Sequence, residues 1–253
     1  MRAILTYHSI DDSGSAISVH PDAFRRHVDW LTSGRVKATT LDDLVTLPSA
    51  SDAVAITFDD GFENFEEHGR YLLDRGVPVT VFVVSDRVGR TNAWGDTASP
   101  GIPVLPLLDW PALRRLRERG LDLGAHSRTH VDLTGLAQGP LEDEIRGSAD
   151  AIFRETGVRP TVFAYPYGHV DDSAAAVVAD AFEFGCTTDF QVLRDGAKSE
   201  RLPRLDMYYM QRPGRIEGWG TPAFARFVAV RHKLRQVKQA VLGARRSRKR
   251  MLS

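Results

Sequence analysis

At 253 residues with 42% hydrophobic and 9% aromatic side chains, the chain has the apolar material for one large folded domain or two small ones, which excludes a disordered protein. The formal charge is zero, but ten Lys or Arg residues and no acid fall between Arg226 and Arg250, leaving 23 basic against 33 acidic residues elsewhere; an acidic body without a recognition motif argues against nucleic-acid binding. One cysteine, Cys186, excludes an internal disulfide, no run reaches the length of a membrane span, and Ala3 to Leu5 fall short of a signal-peptide core, so the expected compartment is the cytoplasm.

The predicted elements alternate between strand and helix. Ala3 to Tyr7 is a short apolar strand, and Pro21 to Leu31 is a helix with Phe24, Val28 and Leu31 on one face. Val54 to Phe58 reads as a strand, followed by a helix over Glu66 to Arg75 that stops at Gly76, as a glycine past the last turn favours. Val79 to Val84 is rich in β-branched residues, which suits a strand covered on both faces in a parallel sheet. The stretch Ser85 to Leu108, rich in Gly and Pro, exceeds an ordinary connection and reads as a functional loop.

Beyond it come a helix over Pro111 to Arg119, a strand over Leu121 to Ala125, a helix over Leu141 to Glu155, a strand over Thr161 to Tyr165, a helix over Ser173 to Phe182 and a last strand over Arg201 to Met207. This alternation gives a parallel α/β fold, either a barrel or a doubly wound sheet. His8, the pair Asp59 and Asp60, His126, and Pro166 to Gly168 all fall just past the carboxyl ends of predicted strands. A barrel opens all such ends on one rim, so a parallel (β/α) barrel is the expected architecture, spanning residues 1–220. Residues 221–253 form a separate C-terminal helix and basic tail, since Thr221 and Pro222 give a helix start and Phe227, Val230, Leu234, Val237 and Val241 recur at heptad-like spacing before "RRSRKR".

Two short motifs carry the chemistry. In "ITFDDGFENF" two adjacent carboxylates, Asp59 and Asp60, end an apolar strand, although neighbouring strand residues point to opposite faces. In "AHSRTH" His126 and His130 stand four apart, a spacing that lets two imidazoles reach one metal. Each has a plainer reading: "DDG" suits a strand-ending turn, and histidine pairs at this spacing arise by chance among eight histidines. Taken together, two imidazoles and one carboxylate make a three-ligand zinc-type site with room for water and substrate. One aspartate would then bind the metal while the other stays ionised as a general base, with Gly61 supplying the sharp turn that brings both to one site.

At these residues the chain resembles the polysaccharide deacetylases, or NodB-homology carbohydrate esterases. Thr57-Phe58-Asp59-Asp60-Gly61 is similar to their first motif and His126-Ser127-Arg128-Thr129-His130 to their second, while Ala164-Tyr165-Pro166-Tyr167-Gly168 matches the third in part. The resemblance covers about residues 1–210 and implies a distorted barrel, a divalent metal, most simply Zn²⁺, and hydrolysis of N-acetyl groups on sugars. By the same resemblance Asp59 is the catalytic base, Asp60, His126 and His130 are metal ligands, and Tyr167 offers its backbone N–H to the oxyanion. The family's third motif carries an arginine that orients the base, but that position here is Ala164; Arg204 in "LPRLDM" is the candidate replacement. The fourth motif survives at best as "CTTDF", Cys186 to Phe190, and the fifth, with its histidine acid, is absent. The opening "LTYHSI" resembles the poly-N-acetylglucosamine deacetylase subgroup, whose acid histidine comes from the N-terminal side; His8 is then the general acid.

Other candidates follow from position. Pro166, Gly168, Trp94 and Arg204 are expected to touch substrate, although Trp94, in "RTNAWGD" with Asn92 and Asp96, also suits a packing anchor under the loop. His169 reads as exposed, with substrate contact as the alternative. The C-terminal helix either covers the barrel or draws the enzyme to anionic lipid at the inner membrane face through its cations. The expected function is metal-dependent removal of N-acetyl groups from a polymeric, oligomeric or lipid-linked saccharide. The rivals are an amidase or deformylase acting on another C–N bond, an inactive carbohydrate-binding homologue, and a non-haem iron oxygenase.

Overall fold

A computed structural model of the chain describes residues 1–96 and 99–251, and side chains throughout except at residue 96 and residues 238–251. In chain order the elements are β1 (Arg2–Tyr7), β2 (Ser9–Ile10), β3 (Ser18–Val19), α1 (Pro21–Thr32), β4 (Lys37–Thr39), α2 (Leu41–Thr46), β5 (Ala53–Phe58), α3 (Phe65–Leu73) and β6 (Val79–Val83). There follow α4 (Trp110–Glu118), β7 (Asp122–Ala125), α5 (Gln138–Thr156), β8 (Val162–Ala164), α6 (Asp172–Ala181), β9 (Phe184–Cys186), β10 (Arg204–Asp206) and α7 (Pro222–Met251).

The main sheet runs β10-β1-β5-β6-β7-β8-β9, every ladder parallel, with β4 paired to the start of β5. Its two ends nearly meet. Leu202, just before β10, bridges Cys186 of β9, donating to the Gly185 carbonyl (2.7 Å) and accepting from the Thr187 N–H (2.9 Å). A nearly closed barrel results, as the motif positions require.

Strand alternation then separates two apolar populations. Ile4, Ala53, Ala55, Phe82, Val162, Ala164 and Cys186 point inward and form one cluster, with Leu41 and Leu44 of α2 and Leu193 packed against them. Leu5, Tyr7, Val54, Ile56, Phe58, Val81, Leu123 and Phe163 point outward into the layer under the helices. The interior is narrow, so Phe82 fits only because its neighbour on β7 is Gly124: a Cβ there would lie 2.4 Å from the Phe82 ring and 2.9 Å from Val162.

Several elements differ from the sequence reading. The short β2, β3, β4, α2 and β9 carry too few residues to produce a periodic signal, and β10 is shorter than the stretch Arg201 to Met207, because Ser199–Arg201 forms a 3₁₀ turn. The expected loop Ser85 to Leu108 is a strap held by bridges from Thr91 to Pro106 and from Phe62 to Leu107.

Of the expected stripe on the C-terminal helix, Phe227 packs against the core, edge-on to Phe190 at 6.1 Å, while the residues after it do not. Thr221 caps its start (Phe224 N–H to Oγ1, 3.2 Å), and Phe224 and Val228 are buried. Arg231 lies over the Tyr209 ring at 3.8 Å, and His232 meets Asp189 at 3.1 Å. Val230, Leu234 and Val237 stand 53%, 58% and 63% exposed, because the helix turns that line outward while its cations pair with the barrel. The side chains of Val241 and of the basic run 245–250 lie outside the described residues. No helix among the described residues is long and apolar enough to cross a membrane.

Gly124→Ala tests the packing of the barrel interior. Overpacking should lower unfolding stability by about 1–3 kcal/mol, read from the denaturant midpoint; an unchanged midpoint would show that Phe82 has room to yield.

Candidate active site

The two aspartates reach one place because the backbone reverses between them. Asp59 continues the inward series Ala53, Ala55, Thr57, whereas Asp60 takes φ 70° and Gly61 φ 74°. The turn expected at Gly61 alone is therefore spread over two residues, and Asp60 bears the unfavourable one. His126 follows β7 directly, and its backbone N–H still bonds to Val83 of β6 (2.9 Å), so it stands at the next strand end but one around the rim.

Asp60, His126 and His130 each offer a ligand atom within 4.8 Å of the others, and all three are buried. His126 donates from Nδ1 to the Ala164 carbonyl (2.7 Å), which leaves its Nε2 lone pair 3.5 Å from Asp60 Oδ1. His130 Nε2 lies 3.3 Å from the same oxygen. Asp60 Oδ1 is buried and accepts no hydrogen bond from the described residues. A buried carboxylate oxygen facing two imidazole nitrogens, with no donor of its own, suits a divalent cation.

Asp59 sits beside this cluster under a different constraint. Arg204 of β10 grips it with both arms of the guanidinium, Nη1 to Oδ1 at 2.6 Å and Nη2 to Oδ2 at 2.8 Å, with the two side chains 0% and 2% exposed. Arg204 Nε also donates to the Thr187 carbonyl (2.9 Å), and Nη1 also reaches Thr6 Oγ1 (3.1 Å). Burial alone would raise the Asp59 pKa, but Arg204, His8 and His126 outweigh it and hold the carboxyl well below its usual range. Asp60 shifts the other way, raised by burial and by the neighbouring Asp59. His8 closes the group, its Nε2 3.7 Å from Asp59 Oδ2.

Among the described residues, the non-glycine positions with φ in the left-handed region are Asp60, Ser127, His130 and Tyr167, and all four are at this site. Each costs about 1–3 kcal/mol, so the surroundings must hold them. Ser127 Oγ accepts from the His130 N–H (3.0 Å), and Glu144 of α5 accepts from the N–H groups of Arg128 (2.9 Å) and Thr129 (3.0 Å). The histidines thus sit on a clamped loop, not on a helical turn.

The structure brings His8, Asp59, Asp60, His126, His130 and Arg204 together. Two residues expected to touch substrate are buried: Arg204 is enclosed against Asp59, and Pro166 is covered at the end of β8. Gly168 is held by packing, since a Cβ would fall 2.1 Å from Thr188 Oγ1. Trp94 lies on His130, ring centroids 4.3 Å apart at 24°, and the Tyr167 ring meets His130 edge-on at 4.7 Å while remaining 48% exposed. His169 pairs with Asp132 (2.8 Å). Sequence reasoning missed Glu144, which looks like any polar helical residue, and Asp206, which pairs in register with Thr6 two residues before His8. Burial raises the Asp206 pKa, with His8 and then Arg235 of α7 opposing it.

Buried carboxylates and imidazoles converge at the carboxyl rim of a barrel, the arrangement of a metal-assisted enzyme site, and comparison with known proteins gives the family. The polysaccharide deacetylase family model matches residues 47–182, and the chain belongs to this family, the sugar N-deacetylases. The Bacillus subtilis protein YxkH, named for the same family, is 23% identical over 232 residues, 89% of this chain and 75% of that one. The peptidoglycan-N-acetylglucosamine deacetylase PgdA of Listeria monocytogenes is 29% identical over 126 residues, 48% of this chain and only 23% of PgdA. In fold, IcaB from Ammonifex degensii superposes with a TM-score of 0.71 at 19% identity, over 91% of this chain and 97% of IcaB.

The Arg204–Asp59 pair yields a stability prediction on chelator-treated protein. Arg204→Met leaves a buried charge without its partner and should cost about 3–5 kcal/mol at pH 7. The folded pKa of Asp59 lies below its unfolded value, so the pair stabilises the fold above about pH 4 and less as pH falls through that range. The difference between wild type and variant should therefore shrink as the pH falls below about 4, as measured by denaturant unfolding at pH 7, 4, 3 and 2.5; a difference that stays unchanged down to pH 2.5 would contradict an ionised pair.

Proposed function

We propose that the protein is a metal-dependent hydrolase that removes N-acetyl groups from amino sugars in a polymeric, oligomeric or lipid-linked saccharide. The observation that carries this reading is the pairing of two adjacent carboxylates in opposed environments: Asp59 locked to Arg204 and ionised, Asp60 turned to two imidazoles with one oxygen unpartnered. Two carboxylates with divergent environments are how one site divides its labour.

Asp60, His126 and His130 would hold the cation, and two nitrogens with one oxygen suit zinc. Such an ion, when bound, supplies an acidified water molecule and polarises the acetyl carbonyl. Asp59 is then the base. Because Arg204 makes it a weak one, its contribution depends on a proton donor that has been made acidic, which is why the two halves of the site belong together.

Asp59 takes the proton as the water oxygen bonds to the acetyl carbon. The Tyr167 N–H, at a strained turn on the rim, is placed by family resemblance to stabilise the oxyanion. His8 delivers a proton to the sugar nitrogen as the C–N bond breaks, so that acetate and a free amine leave. Asp206 lies on β10, in register with Thr6 of β1, on the side of the barrel from which His8 comes. Trp94 and the exposed face of Tyr167 are the aromatic surfaces at the mouth, and a sugar ring is the ligand class that such surfaces take.

The test is acetate release from N-acetylated glucosamine oligomers, polymer and lipid-linked sugars, with and without chelator. Asp59→Asn should abolish release, a loss of at least about 10²-fold by the usual scale of acid–base catalysis, while bound metal stays at the wild-type level. Turnover by Asp59→Asn, or full wild-type activity in chelator with no bound metal, would refute the reading.

A further inference from the structure

His126 and His130 are held in unequal ways. His126 has its outer nitrogen tied to the Ala164 carbonyl, the usual device that fixes the tautomer and ring plane of a ligating histidine. His130 has no such tie: its Nδ1 is buried and finds no partner in another described residue. The terminal torsion of a histidine is broad, so a ring without an outer hydrogen bond needs another restraint.

We infer that Trp94 is the positioning residue for His130, its indole fixing the imidazole plane as the Ala164 carbonyl fixes that of His126; the inference rests on the metal-site reading above. The indole lies almost flat on the imidazole, 4.3 Å between centroids at 24°, while Tyr167 and His126 meet the ring edge-on at 4.7 and 4.9 Å. A ring stacked this way cannot turn edge-on without displacing the indole, and one of its faces is closed to water.

Trp94 is itself held for this purpose. Asn92, buried two residues earlier, donates to the Pro103 carbonyl (3.0 Å) and accepts from the Leu105 N–H (2.8 Å), joining the two arms of the strap 85–108. The Trp94 N–H bonds back to the Asn92 carbonyl (3.0 Å). The indole belongs to neither apolar cluster among the described residues, and its ring contact is with His130.

The test measures metal binding rather than turnover. Chelator-stripped wild type, Trp94→Ala, Trp94→Leu and Trp94→Phe are titrated with Zn²⁺ against a chromophoric competitor, and the visible bands of the Co²⁺ forms are recorded. Trp94→Ala and Trp94→Leu should bind Zn²⁺ about 10- to 100-fold more weakly with altered Co²⁺ bands, the scale of a lost outer partner, while Trp94→Phe keeps affinity within about threefold. Wild-type affinity in Trp94→Ala, or recovery by Leu as complete as by Phe, would overturn the inference, the latter because filling volume would then suffice. A wild-type protein that binds no Zn²⁺ would instead overturn the metal site and this inference with it.

Discussion

A guanidinium buried inside a β-barrel is tolerated only if its charge and each of its nitrogens find partners there, and Arg204 meets that demand at a single place. Its two arms close on Asp59, and its other donors reach Thr6 on β1 and the Thr187 carbonyl past β9. The residues that satisfy it therefore come from three strands, β9, β1 and β5, and together with β10, which carries Arg204, these span the seam where the barrel closes. Neutralising the charge and closing the barrel are the same event. The interior stays narrow enough for the pair to remain dry, which is why small residues such as Gly124 and Ala164 surround Phe82 and the guanidinium.

The rim is organised by opposite means. There the carboxylate and imidazoles stand where the chain is under backbone strain, at Asp60, Ser127, His130 and Tyr167, and support arrives from outside the barrel through Glu144 and the strap carrying Asn92 and Trp94. Strain at a site persists only where neighbours over-determine the geometry. Strands aim Asp59 by alternation alone; Asp60 needs a left-handed residue, because alternation would send it to the opposite face. The question posed by two adjacent carboxylates is answered by this turn, and by the divergence it creates, one acid drawn down by Arg204 and the other pushed up by burial.

Much of this was legible in the sequence because strand ends mark the rim, and the motif residues His8, Asp59, Asp60, His126 and Tyr167 all follow apolar runs. Arg204 was legible as a substitute for the arginine missing at Ala164, but its burial was not: nothing in "LPRLDM" tells which face of a three-residue strand looks inward. Glu144 and Asn92 act on backbone groups 15–16 and 11–13 residues away, contacts with no sequence period. The C-terminal helix was placed correctly at its start by Thr221, yet its apolar stripe misled. Spacing finds a face, and only the partner decides whether that face is used: Tyr209, Asp189 and Asp206 lie where they attract Arg231, His232 and Arg235, and the valines are turned outward.

The division of the barrel into two arcs explains how the proposed roles coexist without interfering. The donor cluster draws on β5, β7 and the Ala164 carbonyl at the end of β8, whereas the acid, its carboxylate and the clamp on the base come from β1 and β10. β5 alone serves both arcs, ending in one carboxylate for each. Were Asp59 and Asp60 on separate strands, the spacing of the two carboxylates would depend on the register between those strands. As consecutive residues they are joined through one turn, and the left-handed backbone at Asp60 is what lets a single strand end supply both arcs.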